Sequence, residues 1–214
     1  MLRSLIASTA LAIAFLAAPG VHAAEETAIF AGGCFWCVEK DMDHVKGVIS
    51  TTSGYAGGTR KNPSYKSHEG YAESLKVVFD NSVISYGALT RHFLRTIDVV
   101  DGGGQFCDRG PSYVAALFPL DKTQRAAAAA ALKDAGKALD RPIAVKLGDT
   151  PSFVDAEDYH QNYYQGEDRV FTRFGWIKQS DAYERYRKGC GRDARVKELW
   201  GDKAYSFPAG GGES

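Results

Sequence analysis

The sequence has no surplus of charge: Lys and Arg number 26, Asp and Glu number 26, and the net charge is zero. Nucleic acids and anionic membrane surfaces are bound through clustered cations, so the sequence points to neither. There is no internal repeat and no long linker, and 214 residues suffice for one domain with its own core. Metal-ligand spacing is also missing. His44, His68, His92 and His160 are scattered, and the single Cys-x-x-Cys has no second close pair to complete a four-ligand zinc site. No metal is expected.

One long apolar run is present, Leu5 to Ala18, and it is short for a membrane span. It follows Arg3 and ends in the small-x-small pattern Val21-His22-Ala23. That pattern predicts a secretory signal, 1–23, cleaved after Ala23, with 24–214 as a single domain. No cysteine stands at the cleavage point, which argues against a lipoprotein. The mature chain is expected in the periplasm or outside the cell, free of the membrane and monomeric.

Four cysteines remain: Cys34, Cys37, Cys107 and Cys190. An even count in an exported chain suggests structural disulfides. Cys34 and Cys37, in the stretch AGGCFWCVEK, would close a small strained loop that staples little. Reversible redox chemistry is the usual use of such spacing.

The pattern predicts a short buried strand in TAIFAGG, then a helix from Cys34 with Phe35, Val38, Met42 and Val45 at helical spacing. Strands follow in GVISTTSGYAGG and YAESLKVVFD, and an amphipathic helix in ISYGALTRHFLRTID. SYVAALFPL and PIAVKL read as strands, separated by an alanine-rich helix. DAEDYHQNYYQ reads as a short helix, and the tail as irregular until RVKELW. The order β-α-β-β-α-β-α-β predicts an α+β, two-layer sandwich. Its sheet is expected to be mixed and largely antiparallel, with flanking helices around a ferredoxin-like core.

Placed at a helix N-terminus, Cys34 would meet free N–H groups and the helix dipole, both of which favour the thiolate. Gly32 and Gly33 are expected to let a substrate approach its sulfur. Adjacent helical residues diverge by about 100°, so Phe35 and Trp36 cannot enter the same core. One of them is expected beside Cys34, as an apolar wall for a methyl or methylene group. Glu73 alternates in phase with Leu75, Val77 and Phe79, the apolar face of its strand. A carboxyl there is either buried with a raised pKa or at the strand's open end.

GGCFWCVE resembles the active-site motif of the peptide methionine-(S)-sulfoxide reductases, the A-type family. SGYAGG, NPSY, HEGYAESLKVVFD, ISYGALTRHF, GQFCDRGPSY and AEDYHQNYY resemble further blocks of that family, in order. The resemblance implies that Cys34 attacks the sulfoxide sulfur and becomes a sulfenic acid. It implies Glu73 as the general acid, Tyr55 and Tyr113 as holders of the oxygen, and Asp108 as an orienting carboxylate. Phe35 and Trp36 would cage the methyl group. The substrate would be methionine-S-sulfoxide, free or in oxidised proteins. No cofactor is implied, and electrons would come from a thioredoxin-like dithiol. A second thiol must resolve the sulfenic acid. Cys190 is favoured, in a glycine-flanked tail, followed by Cys37 and then Cys107. Cys37 and Val114 depart from the family pattern, in which many relatives have Gly and Arg. A general thiol–disulfide oxidoreductase using the Cys-x-x-Cys is the competing reading.

Overall fold

The computed structural model describes residues 25–149 and 152–207, so the expected signal sequence lies outside the described residues. In chain order the first half comprises β1 (Glu25–Ala31), α1 (Phe35–Asp43), β2 (Val48–Ala56), β3 (Ala72–Asp80) and α2 (Tyr86–Leu94). Then come the short pair β4 (Gly104–Gln105) and β5 (Asp108–Arg109), β6 (Ala116–Leu117), α3 (Lys122–Leu139), β7 (Lys146–Leu147) and β8 (Phe153–Asp155). A hairpin of β9 (Arg169–Thr172) and β10 (Gly175–Lys178) leads into α4 (Gln179–Gly189) and α5 (Arg192–Trp200).

Alternation of side chains along β3 sets the layers. Glu73, Leu75, Val77 and Phe79 are buried, while Lys76, Val78 and Asp80 are half-buried. β3 pairs antiparallel with β1 on one side and β2 on the other. The six-stranded sheet runs β7-β6-β1-β3-β2-β8, and only β6–β7 is parallel. The order β6-β1-β3-β2, with α1 and α2 as crossovers, is the ferredoxin-like arrangement expected from the sequence.

One face of the sheet carries the main core. Ala28 and Phe30 of β1 and Leu75, Val77 and Phe79 of β3 meet Val38 and Met42 of α1, and Leu89 and Phe93 of α2. Phe30 stacks on Phe93 at 4.7 Å. Each of these side chains larger than alanine contributes about 1.5–3 kcal/mol on burial. Ser85 and Asp121 cap α2 and α3 through the Ala88 and Gln124 N–H groups. A smaller cluster around Ile29, Ala31 and Phe118 occupies the opposite face.

Three expectations need correction. The tail is not irregular: it forms a hairpin and two helices, because Ala182, Tyr183, Val196 and Trp200 give these polar segments a buried side. The segment around Tyr159 is no continuous helix but two single turns, Asp158–His160 and Tyr163–Gln165, broken by Asn162 at φ 54°. The strand expected over 112–120 shrinks to Ala116–Leu117, since Pro111–Tyr113 forms a 3-10 turn. Among the described residues no helix is long and apolar enough to cross a membrane.

Candidate active site

Cys34 is the residue at which α1 begins. Its backbone is non-helical (φ −50°, ψ 117°), yet its carbonyl already accepts from the Cys37 and Val38 N–H groups. Its side chain caps nothing. The first helical N–H, that of Phe35, donates instead to Glu73 Oε2 at 3.1 Å, from β3. An orphan donor of the helix terminus thus fixes a carboxyl beside the Cys34 sulfur. The preceding glycines serve packing and the turn, contrary to the expectation that they admit substrate. A Cβ on Gly32 would meet Phe93 and Val38 at 2.9 Å, and one on Gly33, at φ +79°, would meet Gln105 Cβ at 2.5 Å.

Cys34, Phe35, Trp36, Tyr65, Glu73, Asp108, Tyr113 and Tyr186 line one cavity of about 60 Å³. Glu73 is 2% exposed. Burial pushes its carboxyl up to about 8 against the Phe35 hydrogen bond, and the Asp108 and Cys37 charges add to the rise. Glu73 therefore carries its proton at neutral pH. Burial likewise pushes Tyr65 up to about 12 and raises Tyr113, so both keep their O–H donors. Asp108 accepts a hydrogen bond from Tyr186 and is raised by its own burial.

The apolar wall is braced from behind. Phe35 is 1% exposed, and Trp36 is half-buried. Trp36 stacks on Tyr163 at 3.8 Å with planes 9° apart, and its indole N–H donates to His160 Nδ1 at 3.1 Å. Burial lowers His160 to about 4, so the imidazole is neutral and can accept that bond.

Tyr55 lies elsewhere than the resemblance implied. It is fully buried, and its hydroxyl donates to Glu157 Oε2 at 2.9 Å. Glu157 Oε1 in turn accepts the Tyr65 N–H at 3.0 Å. Tyr65 and Tyr186 thus join Tyr113 at the cavity, and Tyr55 braces the loop that carries Tyr65.

The four sulfurs fall into two pairs. Cys107 is bonded to Cys190, while Cys34 and Cys37 are free thiols, 5% and 2% exposed. Cys190 is thus committed to Cys107, where the sequence had it as the first partner for Cys34. The thiol able to meet Cys34 is Cys37, because Cys34 sits before the helix and its sulfur hydrogen-bonds to that of Cys37. Burial raises Cys34 well above the usual thiol range, and the bond to Cys37 adds to this. Burial alone would raise Cys37 too, but the bond from Cys34 and the Arg192 and Arg187 guanidiniums bring it down to about 7. The thiolate expected on Cys34 from the helix terminus is therefore favoured on Cys37 instead.

Those arginines belong to the helical tail. Arg192 is 2% exposed, donates to Gly32 O at 3.3 Å and lies over Phe106 at 4.7 Å. Asp41, one turn beyond Cys37 on α1, is 2.9 Å from Arg187 and 3.6 Å from Arg192.

The structure thus gathers Cys34, Phe35, Trp36, Glu73, Asp108 and Tyr113, with Cys37 behind Cys34, and leaves Tyr55 outside. Sequence reasoning missed Tyr65, Tyr186, Glu157 and the arginine pair. Tyr65 stood in the NPSY block and could have been found there. Tyr186, Arg187 and Arg192 gave no signal beyond their closeness to Cys190. Among the described residues, no three His, Cys, Asp or Glu side chains gather to hold a metal.

Residues 26–201 match the family described as peptide methionine sulfoxide reductase. Peptide methionine sulfoxide reductase MsrA 2 of Rhizobium meliloti is 43% identical over 194 residues, 90% of this chain and 92% of the relative. MsrA 2 of Caulobacter vibrioides is 40% identical over 208 residues, 94% of this chain and all of the relative. Among solved structures, the reduced form of Mxr1 from Saccharomyces cerevisiae matches with TM-score 0.61 and 26% identity, over 72% of this chain and 92% of its own. Methionine sulfoxide reductase A of Corynebacterium diphtheriae matches with TM-score 0.59 and 25% identity, over 74% and 85%.

Proposed function

Because this chain belongs to the peptide methionine sulfoxide reductase family and is thereby an oxidoreductase acting on methionine sulfoxide, we propose that the Cys34 cavity reduces the S epimer through a sulfenic acid. The observation that carries this reading is the meeting of a thiol and a protonated carboxyl in one small, tyrosine-lined cavity. The sulfoxide oxygen accepts hydrogen bonds from Tyr65 and Tyr113 and the proton of Glu73. The methyl lies against Phe35 and Trp36, and the methylene chain leaves through the mouth. With three substituents so assigned, the sulfur presents its remaining face to Cys34 in one epimer alone. Asp108, held by Tyr186, orients the polar part of the substrate.

Cys37 takes the Cys34 proton as the thiolate attacks. Methionine sulfur gains two electrons, the oxygen passes with the Glu73 proton to Cys34 as a sulfenic acid, and methionine departs. Cys37, again deprotonated beside Arg192 and Arg187, attacks the Cys34 sulfur, so that a disulfide forms and water leaves. Two thiols and a sulfoxide thus give a disulfide, methionine and water. A thioredoxin-like dithiol outside the cytoplasm restores the thiols. It reduces the Cys107–Cys190 bond, whose Cys107 residue is exposed, and the two thiols so freed exchange with the buried Cys34–Cys37 disulfide, which returns to two thiols as Cys107–Cys190 re-forms. No cofactor takes part. The burial that shields the Cys-x-x-Cys also disfavours general exchange with protein disulfides.

Turnover of the separated S and R epimers of N-acetyl-methionine sulfoxide, with excess small dithiol and a Cys34→Ser control, tests this. Reduction of S alone, lost in the control, is expected. Turnover of both epimers, or a working Cys34→Ser enzyme, would refute it.

A further inference from the structure

The cavity at Cys34 cannot hold its whole substrate. At about 60 Å³ it has room for about four water-sized groups, each needing roughly 15 Å³. The sulfur, its methyl, the oxygen and one methylene fill it. The substrate's Cα, and whatever chain it belongs to, must therefore lie at the mouth.

A second cavity of about 440 Å³ opens there, and Trp36, Asp108 and Tyr186 line both. Its volume falls within the range of roughly 300–1,000 Å³ typical of organic ligand sites. Tyr163 and Ala182 lie beneath it, and Arg173 and Phe174, at the tip of the β9–β10 hairpin, form its far wall. Phe174 is 37% exposed. The Arg173 guanidinium lies 4.8 Å from its ring centroid, and that of Arg185 5.6 Å. Among the described residues neither arginine has a carboxylate partner. An apolar platform with two unpaired cations at its edge thus continues directly from the catalytic cavity.

We propose that this second cavity holds the polypeptide flanking the oxidised methionine, with an apolar neighbour against Phe174 and Trp36 and an acidic residue beyond it at Arg173 and Arg185. The proposal rests on the reading of the Cys34 cavity as the sulfoxide site, since one substrate must occupy both cavities at once. It makes the hairpin the selector of which methionines in an oxidised protein are reduced first. Cys107 also lines the groove, so a protein dithiol is the competing occupant.

The test compares three substrates: N-acetyl-methionine sulfoxide, a blocked Gly-Gly-Met(O)-Gly-Gly peptide, and a blocked Glu-Phe-Met(O)-Phe-Glu peptide. The enzymes are the native chain, Phe174→Ala, and the double variant Arg173→Gln/Arg185→Gln. The native chain is expected to favour the Phe and Glu peptide over the glycine peptide by about tenfold in kcat/KM, the scale of one well-packed aromatic contact. Phe174→Ala should erase most of that preference, and the arginine variant the part due to Glu. All three enzymes should reduce N-acetyl-methionine sulfoxide equally, which also shows that the variants fold. Equal kcat/KM for the two peptides in the native chain, or an undiminished preference in Phe174→Ala, overturns the proposal. So does a Phe174→Ala enzyme whose only defect is a raised KM for reduced thioredoxin, which would give the groove to the reductant. Failure of the native chain on N-acetyl-methionine sulfoxide would instead sink the active-site reading itself.

Discussion

Replacing Glu73 by Gln should cost the enzyme most of its activity and make it more stable. The carboxyl has a folded pKa of about 8 against a usual 4.5, chiefly because it is buried. Between those values the folded chain binds a proton that the unfolded chain has released, so the group's contribution to stability falls as pH rises through that window. The cost is absent below about pH 4.5 and fully developed above about pH 8. At pH 7 it is about 3 kcal/mol, taking about 2.5 units at 1.36 kcal/mol each. Gln keeps the oxygen that accepts from Phe35 but adds an amide N–H₂ needing a partner, at about 1–2 kcal/mol. The net gain at pH 7 is about 1–2 kcal/mol, or ~2–8 °C in Tm for a chain of this size. Activity moves the other way. Loss of the proton donor lowers kcat by about 10²–10⁴-fold. It also removes the limb of the pH–rate profile on which Glu73 ionises near pH 8. Thermal unfolding of both proteins at pH 4.5, 7 and 9, beside kcat against pH, measures all of this. A variant less stable than the parent at pH 9, or one that keeps the alkaline limb, would show that Glu73 is not the buried acid described.

Two tyrosine variants separate the cavity from its support. Tyr65→Phe removes an oxygen-facing donor and should lower kcat by about 10–10³-fold, whereas Tyr55→Phe should cost about 1 kcal/mol of stability and change kcat only a few-fold; equal kinetic losses would contradict the placement. Gly33→Ala combines φ +79° with a Cβ 2.5 Å from Gln105. It should destabilise by about 2–4 kcal/mol and slow alkylation of Cys34, measured by denaturant unfolding and iodoacetamide labelling. The Cys107–Cys190 bond spans 83 residues, so the double Ser variant should lose about 2–4 kcal/mol yet still release methionine from a single turnover; retained stability in denaturant would count against a structural contribution from the bond.

The alternating and helical patterns carried the central fold. Glu73, Leu75, Val77 and Phe79 in period two, and Val38 and Met42 at helical spacing, mark the strand and helix faces that the fold buries. Cys34, Glu73, Asp108 and Tyr113, which the ordered blocks suggested for one site, line one cavity in the fold. The helical tail escaped notice because its buried residues are few and lie among charged ones, and its apolar sides exist only against α1 and the core.

Sequence by itself determined the sandwich, the reactive motif and its family, because these depend on local periodicity and on contiguous residues. The tertiary structure decided which tyrosines line the Cys34 cavity and which thiol lies beside Cys34. Tyr55 and Tyr65 are equivalent as letters, but Glu157, more than ninety positions away, takes the hydroxyl of one and the backbone N–H of the other. Cys190 ranked first as the partner of Cys34 until the fold bonded it to Cys107, and Cys37 ranked behind it until the fold brought two arginines from the far end of the chain close to its sulfur. Electrostatics and hydrogen bonding act through space, and residues that fold together from distant positions leave no mark of it in local sequence.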